Sequence, residues 1–260
     1  MLCLRLSALG LALCSAALAD LNSPDYSSAG IVNAADNKPG PLAPNTLASI
    51  YGVRLSYVTA AITSDDIHGG VLPTVLPGTG VSVLVGNIAA NIYYVSPNQI
   101  NFLVPAILVP GPSKLQVVLN AHSGPAVDIT LAAYSPALFQ IDAQNAVALQ
   151  PDGTVITAKN PAKPGDVVIL YATGLGQTFP PVEYGAIFEQ AAPLQQISEF
   201  KVTFDGVAAS HAVEYAGIAP GFAGLYQLNI VLPKSTHANP EIRIGLGSDL
   251  STPGIHLPVE

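Results

Sequence analysis

The chain has 260 residues, half of them apolar and 10% charged, with a formal net charge of -8 at neutral pH. This length suits two domains of ordinary size, each able to bury its own core. The acidic balance and the lack of any Lys/Arg cluster argue against nucleic acid or an anionic membrane surface as partner, because both favour clustered basic residues.

The first nineteen residues, 1–19, have the pattern of a secretory signal peptide. Arg5 precedes an apolar run over residues 6–18, and Ala17-Leu18-Ala19 supplies the small-residue cleavage pattern before Asp20. We therefore expect a protein that is secreted or held at the cell envelope. No later apolar stretch reaches the roughly 20 residues that cross a bilayer, so we expect no transmembrane segment.

Both cysteines, Cys3 and Cys14, lie within this leader. The mature chain would then hold neither a disulfide nor a thiolate metal site, and its stability must come from its core. Cys14 leaves open an alternative, a lipid anchor of the bacterial lipoprotein type. Leu13 stands before it where a small residue is usual, so cleavage after Ala19 is our expectation.

An internal repeat organises the rest of the chain. Residues 41–51 match residues 161–171 at a constant spacing of 120 positions, which aligns Tyr51 with Tyr171. Farther on, residues 99–105 match residues 227–233 at a spacing of 128, because the second copy has a longer loop before this segment. That loop covers residues 216–226. The pattern indicates one folding unit present twice.

The repeated segments alternate apolar and polar residues, as β-strands do. Residues 81–85 and 200–204 each lead into a two-residue turn, Gly86-Asn87 and Asp205-Gly206, which predicts two β-hairpins. The closing strands of the two copies are predicted at residues 115–119, 127–131, 242–246 and 255–259.

No segment has capped apolar periodicity of 3.6 residues, and turn signals recur throughout the chain. We therefore predict an all-β protein of two tandem immunoglobulin-like β-sandwich domains, residues 20–133 and 134–260. The boundary region, residues 134–139, is short and apolar, unlike a flexible tether. The two units are expected to pack against each other.

Several motifs occur in order along the chain: Val32-Asn33-Ala34-Ala35, the run from Tyr94 to Asn101, residues 160–166 and 170–176, and the run from Ala219 to Asn229. Together they resemble the uncharacterised C-terminal domain family abundant in secreted proteins of Solibacter-type acidobacteria. The resemblance implies immunoglobulin-like sandwiches akin to IPT/TIG domains and a place outside the cytoplasm, but no activity and no catalytic residues. Gly86-Asn87 departs from the usual turn of the family.

No constellation of catalytic residues stands out. The sequence lacks a Gly-x-Ser-x-Gly elbow, and its histidines have no partner at metal-binding spacing. Asp65-Asp66-Ile67-His68 lacks the EF-hand pattern and is interpreted as a solvated turn. Gly174-Leu175-Gly176 is interpreted as a strand-ending turn. We predict no enzyme, no cofactor and no metal site. The histidines are His68, His122, His211, His237 and His256.

Tyrosines and amides on the outward strand face are the candidate ligand contacts, because they can stack on and hydrogen-bond to sugars or peptides. Their presence in both copies has an alternative explanation, a requirement of the fold itself. Phe222 stands apart because its enlarged loop occurs in one copy only. The candidates are Tyr94, Gln99, Asn101, Tyr215, Phe222, Gln227 and Asn229.

The preferred hypothesis is a non-enzymatic secreted or cell-surface module that binds an unidentified protein or polysaccharide. A second hypothesis is a secreted carbohydrate-active or peptide-cleaving hydrolase with an interdomain site, motivated by the acidic residues between Asp166 and Glu199, with Glu183 and Glu189 as test positions. The third is an architectural spacer of a surface assembly.

Overall fold

The computed structural model describes residues 22–209 and 212–260. The predicted signal peptide, both cysteines and His211 lie outside the described residues, so the predictions made on them stay predictions.

The described part of the chain consists of β-strands with two single-turn 3₁₀ helices, Ser64–Asp66 and Ile197–Glu199. The strands of the first half are β1 Asp25–Asn33, β2 Leu47–Val53, β3 Ala60–Ala61, β4 Val81–Val85, β5 Ile88–Ala89, β6 Asn91–Val95, β7 Gln99–Leu103, β8 Gly111–Leu119, β9 His122–Ser123 and β10 Val127–Leu131. Those of the second half are β11 Ala137–Leu138, β12 Ala148–Leu149, β13 Val167–Thr173, β14 Ala192–Pro193, β15 Phe200–Phe204, β16 Val207–Ala208, β17 Val213–Ile218, β18 Tyr226–Val231, β19 Ile242–Leu246 and β20 Asp249–Leu250.

The first half forms two antiparallel sheets around one core. One sheet has the strand order β1-β2-β7-β6-β3 and the other β10-β8-β4-β5, with β9 beside β8. Alternate residues of β4 and β7, among them Val83 and Phe102, are buried between the sheets. Because side chains alternate across a strand, Gln99 and Asn101 lie on the outer face of β7.

The second half repeats this arrangement. Its larger sheet has the order β11-β13-β18-β17-β14, strand for strand the order of the first, with β12 also beside β13. The smaller sheet has the order β16-β15-β19-β20, and residues of both sheets share one core. The prediction of an all-β chain of two tandem immunoglobulin-like sandwiches is confirmed, whereas the exact domain bounds stay a prediction.

Both predicted hairpin turns are confirmed. Gly86 and Asn87 have φ of 56° and 65°, and Asp205 and Gly206 have φ of 49° and 78°. Two successive left-handed residues make a turn whose twist matches the flanking strands, and Gly, Asn and Asp tolerate that region best. The unusual Gly86-Asn87 order therefore still forms the turn that the hairpin needs.

One predicted closing strand is wrong in detail. Residues 115–119 lie within β8, and residues 127–131 and 242–246 are strands β10 and β19. Residues 255–259, however, make only isolated bridges, such as the parallel one between Ala162 and Val259. Pro258 interrupts this segment because it has no N–H to donate, although its carbonyl oxygen accepts from the Ala162 N–H at 3.0 Å.

The two sandwiches pack against each other, as the apolar boundary predicts. Leu72 and Leu103 of the first half and Ala223 of the second form a small buried cluster, with Tyr93 and Tyr184 at its edge. The segment that connects the two sandwiches is held by hydrogen bonds. The Ser135 N–H donates to the Gly174 carbonyl oxygen at 2.9 Å, and the Ser135 hydroxyl donates to the Pro41 carbonyl oxygen at 2.7 Å.

Candidate functional site

A cleft of about 450 Å³ opens where the outer face of the first sandwich meets the second. Its size is in the range of small-molecule sites. Strands β2 and β7 form its floor, and the loop between β17 and β18 forms one wall. All the residues around it are uncharged: Ala34, Asn37, Leu47, Ala48, Ser49, Tyr51, Tyr93, Gln99, Asn101, Phe139, Phe222 and Leu225.

An amide network lies on the floor of the cleft. The Asn101 side-chain oxygen accepts from the Gln99 Nε2 at 2.8 Å and from the Ser49 hydroxyl at 2.9 Å. Antiparallel pairing of β2 and β7 places Ser49 beside Asn101. The two hydrogen bonds therefore hold the Gln99 and Asn101 side-chain amides in fixed orientations. The Asn101 Nδ2 and the Gln99 Oε1 have no hydrogen-bond partner within the described part of the protein. One fixed donor and one fixed acceptor are thus available to a ligand.

Tyr51 stands beside this network on β2, paired in register with Gln99. Its side chain is 40% exposed, and its hydroxyl donates to the Asn37 Oδ1 at 3.0 Å. Asn37 itself sits in a turn with φ of 54° and donates its N–H to the Asn33 carbonyl oxygen. The hydroxyl bond orients the tyrosine side chain while much of it stays exposed to solvent.

Phe222 supplies the opposite wall from the second sandwich, and 49% of its surface is exposed. Its loop is held by backbone hydrogen bonds: the Ala219 N–H donates to the Leu225 carbonyl oxygen at 2.9 Å, and the Gly221 N–H to the Phe188 carbonyl oxygen at 2.9 Å. The neighbouring Ala223 is buried in the interface between the sandwiches. An exposed aromatic side chain is therefore carried by a fixed backbone.

Of the seven predicted contact residues, the structure brings three together in this cleft: Gln99, Asn101 and Phe222. Tyr94 pairs with Asn101 on the neighbouring strand but does not line the cleft. Tyr215, Gln227 and Asn229 lie in the second sandwich, away from it. The Tyr215 hydroxyl donates to the Ile218 carbonyl oxygen at 2.7 Å, and burial raises the pKa of this phenol.

The amide pair of the second copy makes the same internal contact. Gln227 Nε2 donates to Asn229 Oδ1 at 2.9 Å, and Tyr171 pairs with Gln227 as Tyr51 pairs with Gln99. The contact between the two amides is thus a feature of the repeated fold. What distinguishes the first copy is the wall that the second sandwich places over it.

Sequence reasoning missed Tyr51, Asn37 and Phe139 as cleft residues. Tyr51 could have been predicted, since it lies two residues after Ser49 on a repeated strand and therefore shares its outer face. Asn37 and Phe139 could not have been predicted from the local sequence. Asn37 lies in a turn before β2, and Phe139 reaches the cleft only because the second sandwich packs against the first.

The acidic residues behind the hydrolase hypothesis do not line the cleft, and Glu183 lies instead at a separate, narrow crevice between the sandwiches. Glu183 and Glu189 are both exposed, and neither lines the cleft. The Asp166 carboxylate accepts from the Lys163 N–H at 2.9 Å. In the separate acidic turn at residues 65–68, Asp66 accepts from the N–H and the hydroxyl of Thr63, each at 2.8 Å. Both carboxylates therefore stabilise local turns.

Residues 22–209 and 212–260 contain no candidate metal centre and no candidate membrane-spanning helix. Within these ranges no three His, Cys, Asp or Glu side chains lie close enough together to hold a metal ion. The same ranges contain no helix with the length and hydropathy needed to span a bilayer.

Comparisons with known proteins found distant structural likenesses. The chain is similar to the surface glycan-binding protein SGBP-B of a Bacteroides ovatus mixed-linkage glucan utilization locus, solved with a mixed-linkage heptasaccharide, at 11% identity and a TM-score of 0.37. That alignment covers 92% of this chain and 46% of the other. Domains 5-6 of the S-layer protein SbsC align at 9% identity and a TM-score of 0.28, over 91% of this chain and 98% of that one.

The plexin A4 extracellular region aligns at 11% identity and a TM-score of 0.30, over 99% of this chain and 17% of that one. The chain thus spans less than half of the glycan-binding protein and of the plexin. A scan against models of protein families found no match, and neither did a search of curated proteins. At these TM-scores the likenesses carry no argument about function.

Proposed function

We propose that this chain is a non-enzymatic module of the cell exterior that binds an uncharged polysaccharide in the cleft between its two sandwiches. The observation that carries the proposal is the cleft itself, in which Tyr51 and Phe222 present exposed rings on either side of the fixed Gln99 and Asn101 amides.

The chemistry of these groups suits a sugar. An aromatic ring stacks on the apolar face of a pyranose, and its large contact area costs little side-chain entropy because the ring has few torsions. The free Asn101 Nδ2 can donate to a sugar hydroxyl and the free Gln99 Oε1 can accept from one. Since both amides are already fixed by the network with Ser49, ordering them on binding costs little.

The uncharged lining favours a neutral saccharide over an acidic one or a charged peptide. A charged ligand would lose hydration in the cleft without gaining an opposite charge from any of the residues that surround it. Binding of a neutral chain should also depend little on salt, since screening acts on interactions between charges.

Export through the predicted leader, a place at the cell surface, and membership in the Solibacter-type family belong to the same proposal. They are supported by the sequence motifs. The cleft gives the hydrolase alternative no catalytic carboxylate, because neither Glu183 nor Glu189 lines it.

The test is affinity electrophoresis and calorimetric titration against a panel of neutral polysaccharides, such as β-glucans, xylans and mannans, with polygalacturonate as the charged member. We expect at least one neutral polysaccharide to retard the protein. Phe222→Ala and Tyr51→Ala should each weaken binding by about 1–3 kcal/mol, the range for truncation of a central aromatic contact.

The duplicated fold offers matched controls. Tyr171→Ala and Asn229→Ala change the counterparts of Tyr51 and Asn101 in the second copy, and both should leave the affinity unchanged. Failure of every neutral polysaccharide to bind, or an equal loss of affinity for Tyr171→Ala and Tyr51→Ala, would contradict the proposal. In the first case an architectural spacer becomes the better description.

A further inference from the structure

A second opening, independent of the cleft, lies at one edge of the second sandwich. It encloses about 600 Å³ between the outer strands of the two sheets. Strand β17 contributes Val213 to Ala216, and the hairpin of β15 and β16 contributes Val202 and Ala208. We call this opening the edge groove.

In the first sandwich the equivalent strand edge is covered by the chain itself. Strand β3 pairs Ala60 with Val95 and Ala61 with Tyr94, and the Ile62 N–H donates to the Tyr93 carbonyl oxygen at 2.9 Å. The side chains of Ala60 and Ile62 also pack against the core between the sheets. A short extended segment thus completes both the sheet and the core on this side.

The second sandwich lacks this cover over part of the same edge. Tyr215 is the counterpart of Tyr94, since each pairs with the corresponding asparagine of the next strand. Strand β14 reaches only Gly217 and Ile218, and the Leu194 N–H adds one bond to the Ala216 carbonyl oxygen. Among the described residues, no strand pairs with this edge between Val213 and Tyr215.

We propose that the edge groove binds an extended peptide segment of a partner protein, which adds a strand to β17 beside Glu214, as the chain itself does beside Tyr93 in the first sandwich. An unpaired strand edge offers backbone donors and acceptors to such a segment, and pockets beside it select alternate side chains. The segment that covers the equivalent edge in the first sandwich indicates which side chains the bound peptide should carry.

The occupant should carry small and apolar side chains at alternate positions, as Ala60 and Ile62 do. The groove offers them apolar groups, including Val202, Val213 and Phe200, and two residues of opposite charge, Lys201 and Glu214, also line it. Because these two charges balance, the segment needs no particular net charge.

The first experiment uses a fluorescent peptide with the sequence of residues 58–64 of this chain, Val-Thr-Ala-Ala-Ile-Thr-Ser, titrated with the mature protein. We expect a saturable rise in anisotropy. A peptide with proline at the position of Ile62, whose N–H donates to the Tyr93 carbonyl oxygen in the first sandwich, cannot make that bond, so it should bind at least about tenfold more weakly.

Two protein variants form a matched pair on the same hairpin. Ala208→Trp fills the groove and should weaken binding by about tenfold or more, as steric exclusion of a binding partner does. Val207→Trp places the same ring on the adjacent, 71% exposed residue, outside the groove, and should change nothing. Both positions are exposed, so neither variant should fail to fold.

Amide hydrogen exchange locates the contact. Exchange at Glu214 and Tyr215 should slow on saturation with the peptide, and Phe222→Ala should leave the peptide affinity unchanged because it lies in the separate cleft. The proposal is overturned if no anisotropy change is seen, if Ala208→Trp and Val207→Trp bind equally well, or if the proline peptide binds like the original.

Discussion

The Tyr93 hydroxyl donates to the Ala223 carbonyl oxygen at 2.7 Å and accepts from the Ala223 N–H at 3.1 Å. One side chain of the first sandwich thus satisfies both main-chain polar groups of a residue in the second. Tyr93 can do this because β6 has a bulge at which Tyr93 pairs with no residue of β7. Ala223 directly follows Phe222, so this pair also sets the position of the cleft wall.

Replacing Tyr93 with phenylalanine should destabilise the protein by about 1–3 kcal/mol, because the Ala223 N–H and carbonyl oxygen lose their partner in a buried interface. Equilibrium unfolding in urea measures the change. Tyr94→Phe, on the adjacent residue, removes a hydroxyl that has no hydrogen-bond partner among the described residues and should cost less than about 0.5 kcal/mol. Equal losses for the two variants would show that the reciprocal bond adds nothing.

Gly224 is held at φ of 73° in the interface, and a Cβ there would stand 2.3 Å from the Leu103 Cδ1 and 3.0 Å from the Asn45 carbonyl oxygen. Gly224→Ala should therefore lower the free energy of unfolding by about 2 kcal/mol or more, through both the left-handed backbone and the clash.

Gly221 provides the matched control in the same loop. Its φ is 82°, but a Cβ there would meet no atom within 4 Å. Gly221→Ala should thus cost only the backbone term of about 1–2 kcal/mol. If urea unfolding gives Gly221→Ala the larger loss, the packing of the loop against Leu103 does not govern its stability.

Thr173 is fully buried, and its hydroxyl links the sandwiches. Thr173 Oγ1 accepts from the Leu47 N–H at 2.9 Å and donates to the Gly224 carbonyl oxygen at 2.8 Å. Thr173→Val keeps the shape and leaves two backbone groups unpaired, so we expect a loss of about 1–3 kcal/mol in thermal or urea unfolding. Thr203→Val, on a strand of the second sandwich away from the interface, should be within about 0.5 kcal/mol of the parent protein. A neutral result for Thr173→Val would contradict the role assigned to its hydroxyl.

The internal repeat and the alternation of apolar and polar residues predicted the two β-sandwiches, because both features can be seen in short segments of the sequence. The hairpins at Gly86-Asn87 and Asp205-Gly206 follow from turn chemistry, and the Gln-Asn alternation of residues 99–101 correctly placed both amides on an outer face. The segment 255–259 failed as a strand because Pro258 outweighs the apolar alternation around it.

The cleft could be predicted only in part. Gln99 and Asn101 were nominated for their alternation and Phe222 for its loop, but nothing local joins them. Their proximity depends on the β6 bulge at Tyr93 and on the docking of the second sandwich, both of which are tertiary features. The edge groove could not be predicted from the sequence either, since it depends on where the pairing of β14 with β17 ends and not on any motif.

The buried tyrosines predict a loss of stability at alkaline pH. Burial raises the pKa of Tyr93 to about 12, against the opposing effect of its hydrogen bond with Ala223, and raises that of Tyr26 to about 12, against its bond with Val117. An unfolded tyrosine ionises near pH 10. A group whose folded pKa is raised stabilises the fold fully below about pH 10, and this contribution is lost as the pH rises through about 12.

The urea midpoint should therefore stay level up to about pH 9 and fall steeply between about pH 10 and 12, with tyrosinate absorbance appearing as the chain unfolds. A variant carrying both Tyr26→Phe and Tyr93→Phe starts from a lower midpoint at neutral pH, because it lacks the hydrogen bonds of both hydroxyls. Its midpoint should nevertheless fall less steeply across that window, because two of the groups that ionise on unfolding are gone. A parent midpoint that does not change between about pH 9 and 12, or a double variant with the same slope as the parent, would mean that these two phenols ionise in the folded protein as readily as in the unfolded chain.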